Sequence, residues 1–379
     1  MMQKFTGSII LLIIILVLGC REKSPEFIHT IVAIEKNKFH GWPANNGVWN
    51  WGDEILVGYT QVEYEETGGH NIKADAPRFS LLARSSDGGE SWKMFDPFGY
   101  VGDPGDKQQL LEPLDFLNDG FTMRVFGDTY HGTADPEGGF FYSYDRGHNW
   151  SGPFKLGDIA EDPHFEGMLL TPRTDYLILG KNECMIFISA RIPDSGMSDK
   201  TACIMTKNGG LTFEFIAWVA PLTDPYRAVM PQTVQISDNK FVLVARRRVV
   251  EDRNNCWIDA YHSVDGGSTW EFLSRVADTG AHNGNPPALV RLKDGRLCCV
   301  YGNRTKREIL GRYSQDDGKT WGPEFVIRTG FYTGEAGEDM KDLGYPRLVQ
   351  RSDGRLVAIY YWATREHPEQ HIAATIWHP

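Results

Sequence analysis

Ser85-Ser86-Asp87-Gly88-Gly89-Glu90-Ser91-Trp92 reads S-x-D-x-G-x-x-W, and the same pattern returns at Ser143–Trp150, Ser263–Trp270 and Ser314–Trp321. A degenerate copy, T-x-N-x-G-x-x-F, runs from Thr206 to Phe213. The local physics is that of a hairpin turn: Asp offers side-chain acceptors to nearby backbone N–H groups, and Gly supplies positive φ without steric cost. The Trp then covers the turn with apolar area. The copies start at 85, 143, 206, 263 and 314, and repeats of this length mean stacked or radially arranged supersecondary units.

Between the copies lies a second signal. Leu289–Tyr301 is strand, Asp294-Gly295 turn, strand. Leu348–Tyr361 repeats it around Ser352-Asp353-Gly354, and Val234–Ala245 around Asp238-Asn239. Weaker forms span Val48–Tyr59, Leu114–Phe126 and Leu169–Ser189. Six inner hairpins and five outer ones leave one outer partner missing. His371–Trp377 and Phe27–Glu35 supply it, and N- and C-terminal strands sharing one blade would close the ring and remove its open edge. The expectation is an all-β, six-bladed β-propeller of four-stranded antiparallel blades, with residues 27–379 forming one domain. No segment beyond the N-terminus sustains a helical apolar period, and no linker or low-complexity tract divides the chain.

Lys4 precedes an apolar run, Ile9–Leu18, followed by Gly19-Cys20. A basic start and a short apolar core read as a signal peptide over 1–19, too short for a mature membrane-spanning helix. Val17-Leu18-Gly19-Cys20 resembles a bacterial lipobox, which implies cleavage before Cys20, a lipid on its thiol, a short tether over 20–26, and a periplasmic or cell-surface location. An ordinary secretory signal is the alternative. The remaining five cysteines, Cys184, Cys203, Cys256, Cys298 and Cys299, are odd in number and irregular in spacing, so buried strand residues are expected rather than a disulfide framework. A net charge of −11 without a long basic run argues against nucleic acid as a partner. No C-x-x-C pair, His cluster, phosphate-cradling loop or dinucleotide fingerprint is present, so no cofactor and no catalytic metal are expected. The acidic loops Asp103–Asp106 and Glu335–Asp342 leave room for a structural Ca²⁺. Among the 11 Trp, Trp42, Trp49, Trp51, Trp218, Trp257 and Trp362 lie outside the turn motifs and divide between blade packing and sugar stacking.

The repeated turns resemble the Asp boxes of the sialidase (BNR-repeat) superfamily, over essentially the whole mature chain. The resemblance implies a glycosidase whose site rings the central funnel. Asp75, ten residues before Ser85, matches the family's general acid. Gly344-Tyr345-Pro346-Arg347-Leu348 matches the context of its Tyr nucleophile, a residue suited to an anomeric carbon that bears a carboxylate. The family clamps that carboxylate with three Arg by charge-assisted, bidentate bonds. Arginines recur here at strand exits of successive blades: Arg191, the run Arg246-Arg247-Arg248, and Arg304, with Arg246 and Arg248 on one face and Arg247 on the other. Two departures stand out. The family's first Arg is missing from Phe39-His40-Gly41-Trp42-Pro43, and its activating Glu from Met230-Pro231-Gln232-Thr233. Gln cannot act as a base. Glu166 or Glu112 are the candidates for a second acid/base, with Trp42, Gln232, Asp128, His131, His164 and His282 completing a polar, imidazole-rich rim.

Three functions fit these residues. The first is an exo-acting glycosidase on a terminal acidic sugar, sialic acid or a related one. The second is a polysaccharide lyase or non-sialic exo-glycosidase on uronate-containing polysaccharide, with His131, His164 or His282 and a Tyr in acid/base roles. The third is a non-catalytic glycan-binding propeller. All three take a glycan as partner, meet a membrane only through Cys20, and are expected to work as a monomer.

Overall fold

The computed structural model of the chain describes residues 26–379 apart from 68, 100–105, 128–136, 194, 196–197 and 335–341. Its strands form six antiparallel sheets. Blade 1 contains Lys38–Gly41, Val48–Trp51, Glu54–Glu63, Phe79–Ser85 and Lys93–Phe95; blade 2 contains Thr122–Phe126, Gly139–Ser143 and Ser151–Phe154. Blade 3 contains Leu169–Leu170, Tyr176–Ile178, Cys184–Arg191, Lys200–Thr206 and Glu214–Trp218. Blade 4 runs Tyr226–Ser237, Lys240–Val249, Cys256–Ser263 and Glu271–Gly280; blade 5 runs Pro287–Arg291, Leu297–Asn303, Glu308–Ser314 and Phe325–Arg328. Blade 6 takes Gly344–Gln350, Leu356–Trp362 and His371–Trp377 from the C-terminus and Ile28–Ala33 from the N-terminus, with Ile28 opposite Ile376. The expected closure by both chain ends is therefore what forms, and the fold is a six-bladed β-propeller.

The second strand of each blade reads as an unbroken apolar run because both of its faces are covered by neighbouring blades. Alternation sends Ile55 and Val57 into the cluster shared with blade 6, and Leu56 into the one shared with blade 2. Likewise Cys298 and Val300 face blade 6, while Cys299 and Tyr301 face blade 4. Six apolar clusters result, one per blade interface. Cys184, Cys203, Cys256, Cys298 and Cys299 are buried free thiols, as expected of strand residues. Trp49, Trp257 and Trp362 are likewise buried in blade packing.

The repeated turns join the third strand of a blade to its fourth. In the first, Gly89 N donates to Ser85 Oγ at 2.7 Å, Ser91 N to Asp87 Oδ1 at 2.9 Å, and Trp92 Nε1 to Gly89 O at 3.0 Å. The copies at Ser143 and Ser263 repeat all three bonds. The degenerate copy keeps the first two through Thr206 and Asn208. Gly88, at φ 74°, lies so close to blade 6 that a Cβ there would fall 2.5 Å from the Arg351 guanidinium.

Two inner strands depart from the expected pattern. In blade 1 the inner strand is cut by a short helical turn, Pro43–Asn46, and in blade 3 by Thr171–Asp175; the pieces on either side still pair with one neighbour each. In blade 2 only the second half of the expected Leu114–Phe126 hairpin is strand. Its first half instead bonds to blade 3, Leu114 N to Gly209 O and Phe116 N to Lys181 O, both at 2.8 Å. The buried edge of Thr122–Phe126 that lacks a strand partner is satisfied by side chains, Met123 N donating to Tyr176 Oη and Val125 N to Thr174 Oγ1, each at 3.2 Å.

Candidate active site

Three inner strands carry, within them or at a break in them, a bulky residue in the left-handed region immediately before a proline: Trp42 at φ 60°, Met230 at φ 56° and Tyr345 at φ 48°. A non-glycine residue held there costs about 1–3 kcal/mol, and such strain gathers at functional sites. In blades 4 and 6 it coincides with a register shift, between Val229 and Gln232 and between Gly344 and Arg347. All three side chains belong to one cluster, where the ends of blades 1, 4 and 6 meet.

Tyr345 is the centre of this arrangement. Its N–H donates to Asn285 Oδ1 at 2.7 Å, and Asn285 Nδ2 donates to Leu343 O at 3.0 Å, fixing the bulge from blade 5. Arg246 Nη1 donates to the Tyr345 phenol at 3.2 Å. The guanidinium carbons of Arg246 and Arg304 each lie 5.8 Å from the ring centre. The two arginines are aimed by one loop: Asn283 O accepts from Arg246 Nε at 2.7 Å, and His282 O from Arg304 Nη1 at 2.6 Å. Both carbonyls are presented by residues at positive φ, 57° for His282 and 69° for Asn283. Burial pushes the Tyr345 hydroxyl up, but Arg246, Arg304 and the His70 imidazole outweigh it and bring it down to about 8.

Behind Arg304 stands Asp342, buried at 6 % exposure. Its Oδ1 accepts from Arg304 Nη2 at 3.0 Å and from the Tyr361 hydroxyl; its Oδ2 meets His70 Nδ1 at 2.8 Å. Burial raises the Asp342 carboxyl, yet His70, Arg304 and Tyr361 hold it below the usual range. In turn Asp342 raises the His70 imidazole above its ordinary value, against desolvation. Among the described residues, the Arg304 Nε hydrogen is buried without a partner.

The residues singled out in the sequence separate into two groups. Tyr345, Arg246 and Arg304 converge directly. Arg248 stands one step away, donating to Asn283 Oδ1 and, at 3.1 Å, to Val250 O. His282 contributes its carbonyl, while its side chain is exposed. Trp42 is 4 % exposed, flanked by Phe39 at 4.8 Å and by the edge of His70 at 5.2 Å, so it supports the site rather than offering a face to a sugar. Gln232 points down the central channel, where Nε2 donates to Asp175 Oδ1 at 2.8 Å and Oε1 accepts from Arg347. These groups line a cavity of about 190 Å³ with Trp49, Leu289 and Leu348. Met230, not Gln232, meets the arginines, its Sδ 3.6 Å from Arg246 Nη1.

Asp75 is exposed on the loop between Glu63 and Phe79 that also carries His70, Glu112 and Glu166 are exposed on other loops, and His164 stacks on Phe215 at 4.0 Å in blade 3. Arg191 ends a blade 3 strand, half-buried, near Asp199. His131, Asp128, most of Asp103–Asp106 and Glu335–Asp342, and the whole N-terminal segment with Cys20 lie outside the described residues. His40, in the place of the family's first Arg, is buried beside Gln61 at 3.0 Å, and burial drives its pKa down to about 3, so it is neutral. Nothing in the sequence pairs His70 with Asp342: they are far apart along the chain, Asp342 stands out only as the end of the acidic loop Glu335–Asp342, and His70 only as one imidazole in the short polar run Thr67–Asn71.

A six-bladed propeller with a buried, arginine-flanked Tyr at its mouth defines the class. The chain belongs to the BNR repeat-like domain family, whose model matches residues 103–358. No curated protein matches the sequence. Among solved structures, a Dyadobacter fermentans protein of unknown function is 22 % identical with a TM-score of 0.69, covering 92 % of this chain and 97 % of its own. A Trypanosoma rangeli sialidase mutant displaying trans-sialidase activity is 13 % identical with a TM-score of 0.55; 93 % of this chain matches 59 % of that one. A Penicillium chrysogenum α-L-arabinanase complexed with arabinobiose is 13 % identical with a TM-score of 0.56, over 90 % of this chain and 98 % of that one. At these identities the likeness is one of fold, and the glycosidases among the neighbours share it.

Proposed function

We propose that the protein is a glycoside hydrolase that releases a terminal sugar carrying a carboxylate, with Tyr345 as nucleophile and Arg246 and Arg304 holding the acid group. The observation that carries this reading is the Tyr345 phenol set between two guanidinium groups and brought down to about 8. Arg246, Arg248 and Arg304 against Asp342 leave the mouth with an excess of positive charge, suited to an anion. A phenol, neutral until it attacks, approaches a carbon beside a carboxylate without the charge repulsion that a carboxylate nucleophile would meet.

The acid sugar is held differently from sialic acid in the family pattern. His40 is neutral and tied to Gln61, so the clamp lacks the family's first arginine, and among the described residues Arg246 meets Met230 and no carboxylate. That admits, beside a sialate, a uronate, whose carboxylate sits on C5 across the ring oxygen from the anomeric carbon. The test is hydrolysis of aryl glycosides of sialate, glucuronate and the neutral arabinofuranose. Turnover confined to the acidic pair is expected; turnover of arabinofuranoside alone would defeat the proposal.

We also propose that Cys20 carries a lipid and tethers the enzyme to a membrane, on the strength of the Val17–Cys20 signature. Cys20→Ala is expected to move the protein from the membrane to the soluble fraction of bacterial cells; unchanged partitioning would exclude the anchor.

A further inference from the structure

We infer that His70 and Asp342 are the proton-transfer dyad of this mouth, with His70 Nε2 protonating the leaving oxygen and later taking a proton from water. The inference rests on the glycosidase reading above and adds the residue that reading lacks.

The geometry assigns the tautomer. Asp342 is held ionised by three donors and can only accept, so His70 Nδ1 carries the hydrogen of their 2.8 Å bond. That leaves Nε2 as the working nitrogen, on a side chain 50 % exposed, whereas its partner carboxylate is 6 % exposed. The loop that presents His70 is built to hold it. Tyr64 and Ile72 form a bridge across its base, Thr67 N donates to Asn71 Oδ1 at 3.0 Å, and Thr67 Oγ1 donates to His70 O at 2.8 Å. Asn71, 3 % exposed, reaches Tyr64 Oη and Gln370 Oε1 at 3.4 and 3.5 Å. The edge of the imidazole rests against Trp42, the strained residue of blade 1.

Among the described residues, the charged and titratable groups that face His70 are Asp342, Arg304 and Tyr345, with Tyr361 completing the Asp342 shell. Asp342 favours the imidazolium and Arg304 opposes it; the first prevails, so the acid form persists to higher pH than in a free histidine. Asp75, five residues further along the same loop, is exposed.

The chemistry balances. The Tyr345 phenolate oxygen bonds to the anomeric carbon as the bond to the leaving oxygen breaks. The released electron pair takes the proton of His70 Nε2, giving a free alcohol and neutral imidazole. In the second half water bonds to the anomeric carbon and passes a proton to Nε2. The carbon–phenol bond breaks and its electron pair returns to Tyr345, restoring both residues.

The experiment compares dinitrophenyl and methyl glycosides of whichever acid sugar, glucuronate or sialate, the wild type turns over. A dinitrophenolate leaves without a proton, whereas methoxide needs one. His70→Ala and His70→Gln are each expected to lose about 10²–10⁴-fold on the methyl glycoside and under about tenfold in the first step on the dinitrophenyl one. Asp342→Asn is expected to move the alkaline limb of kcat/KM, and the His70 proton-titration midpoint read by NMR, to lower pH. Equal losses on both substrates, or a leaving-group-dependent loss in Asp75→Ala but not in His70→Ala, would overturn the dyad while leaving the glycosidase reading intact. Absence of wild-type turnover on every acidic dinitrophenyl glycoside would overturn both.

Discussion

Tyr345→Phe lowers turnover by on the order of 10³-fold or more while the propeller stays folded. The substitution removes one oxygen. The ring contacts survive, because Tyr361 at 5.8 Å and the two guanidinium groups pack on the ring rather than on the hydroxyl. The backbone clamp from Asn285 also survives, since it holds the N–H. What is lost is one hydrogen bond from Arg246, worth about 0.5–1.5 kcal/mol. The chemical loss is of another size, because the phenol is the group that forms the covalent bond. An ordinary phenol is ionised to about one part in a thousand at pH 7. The Arg246 and Arg304 guanidinium groups lower the Tyr345 pKa, so it ionises more readily than that. The arginines that would hold the substrate's acid group are thus also the groups that arm the nucleophile. Arg246→Lys should expose this double role: a compact ammonium cannot reach both Asn283 O and the phenol oxygen, so kcat should fall along with affinity. The check is steady-state kinetics beside circular dichroism. An unchanged kcat in Tyr345→Phe would remove Tyr345 from the chemistry.

The sequence made most of this fold readable because propeller blades are local. Each turn motif satisfies its own backbone from residues within four positions, as Ser85, Asp87 and Trp92 do, so it can be recognised without knowing what surrounds it. Strand alternation likewise separated Arg246 from Arg247 correctly: the first meets Tyr345, the second bonds to Asp224 and Asp259 on the opposite face. Two kinds of feature were not readable. The first is strand interrupted for a reason that lies elsewhere. Thr171–Asp175 breaks an inner strand, and it delivers Arg173 to Asn45 and Asp175 to Thr233, partners 128 and 58 residues distant. The second is the dyad. His70 and Asp342 are 272 residues apart, each in an irregular loop, and no periodicity connects them. Asp75 attracted attention through its spacing from Ser85, while the loop's fold turns His70, five residues earlier, toward the mouth. The recurring bulky residue before proline, in Trp42-Pro43, Met230-Pro231 and Tyr345-Pro346, was the available signal for the mouth, and it marks three blades with one device.

Arg227→Ala is expected to cost about 3–5 kcal/mol of stability at neutral pH. Arg227 Nε donates to Asp199 Oδ2 at 2.7 Å, with the two side chains 3 % and 0 % exposed. Asp199 also accepts from Thr171 Oγ1 at 3.2 Å, so the pair ties the interrupted inner strand of blade 3 to the first strand of blade 4. Burial raises the Asp199 carboxyl, but Arg227 outweighs it and keeps the group below the usual carboxylate range. In the wild type its contribution is therefore present above the unfolded carboxyl pKa and is lost as pH falls through the lower folded value. Without Arg227 the sign reverses. Burial then dominates, the folded pKa rises above the unfolded one, and the variant binds a proton more readily folded than unfolded. Its deficit should be largest at pH 7.5 and shrink toward pH 5, as the carboxyl neutralises instead of standing as an unpaired buried charge. Urea midpoints of wild type and variant at both pH values measure this. Arg227→Met combined with Asp199→Leu should recover much of the loss, because breaking a buried pair costs more than replacing it with apolar volume. A deficit that does not vary with pH would mean that the loss is one of packing, and that the buried carboxylate does not depend on Arg227 for its charge.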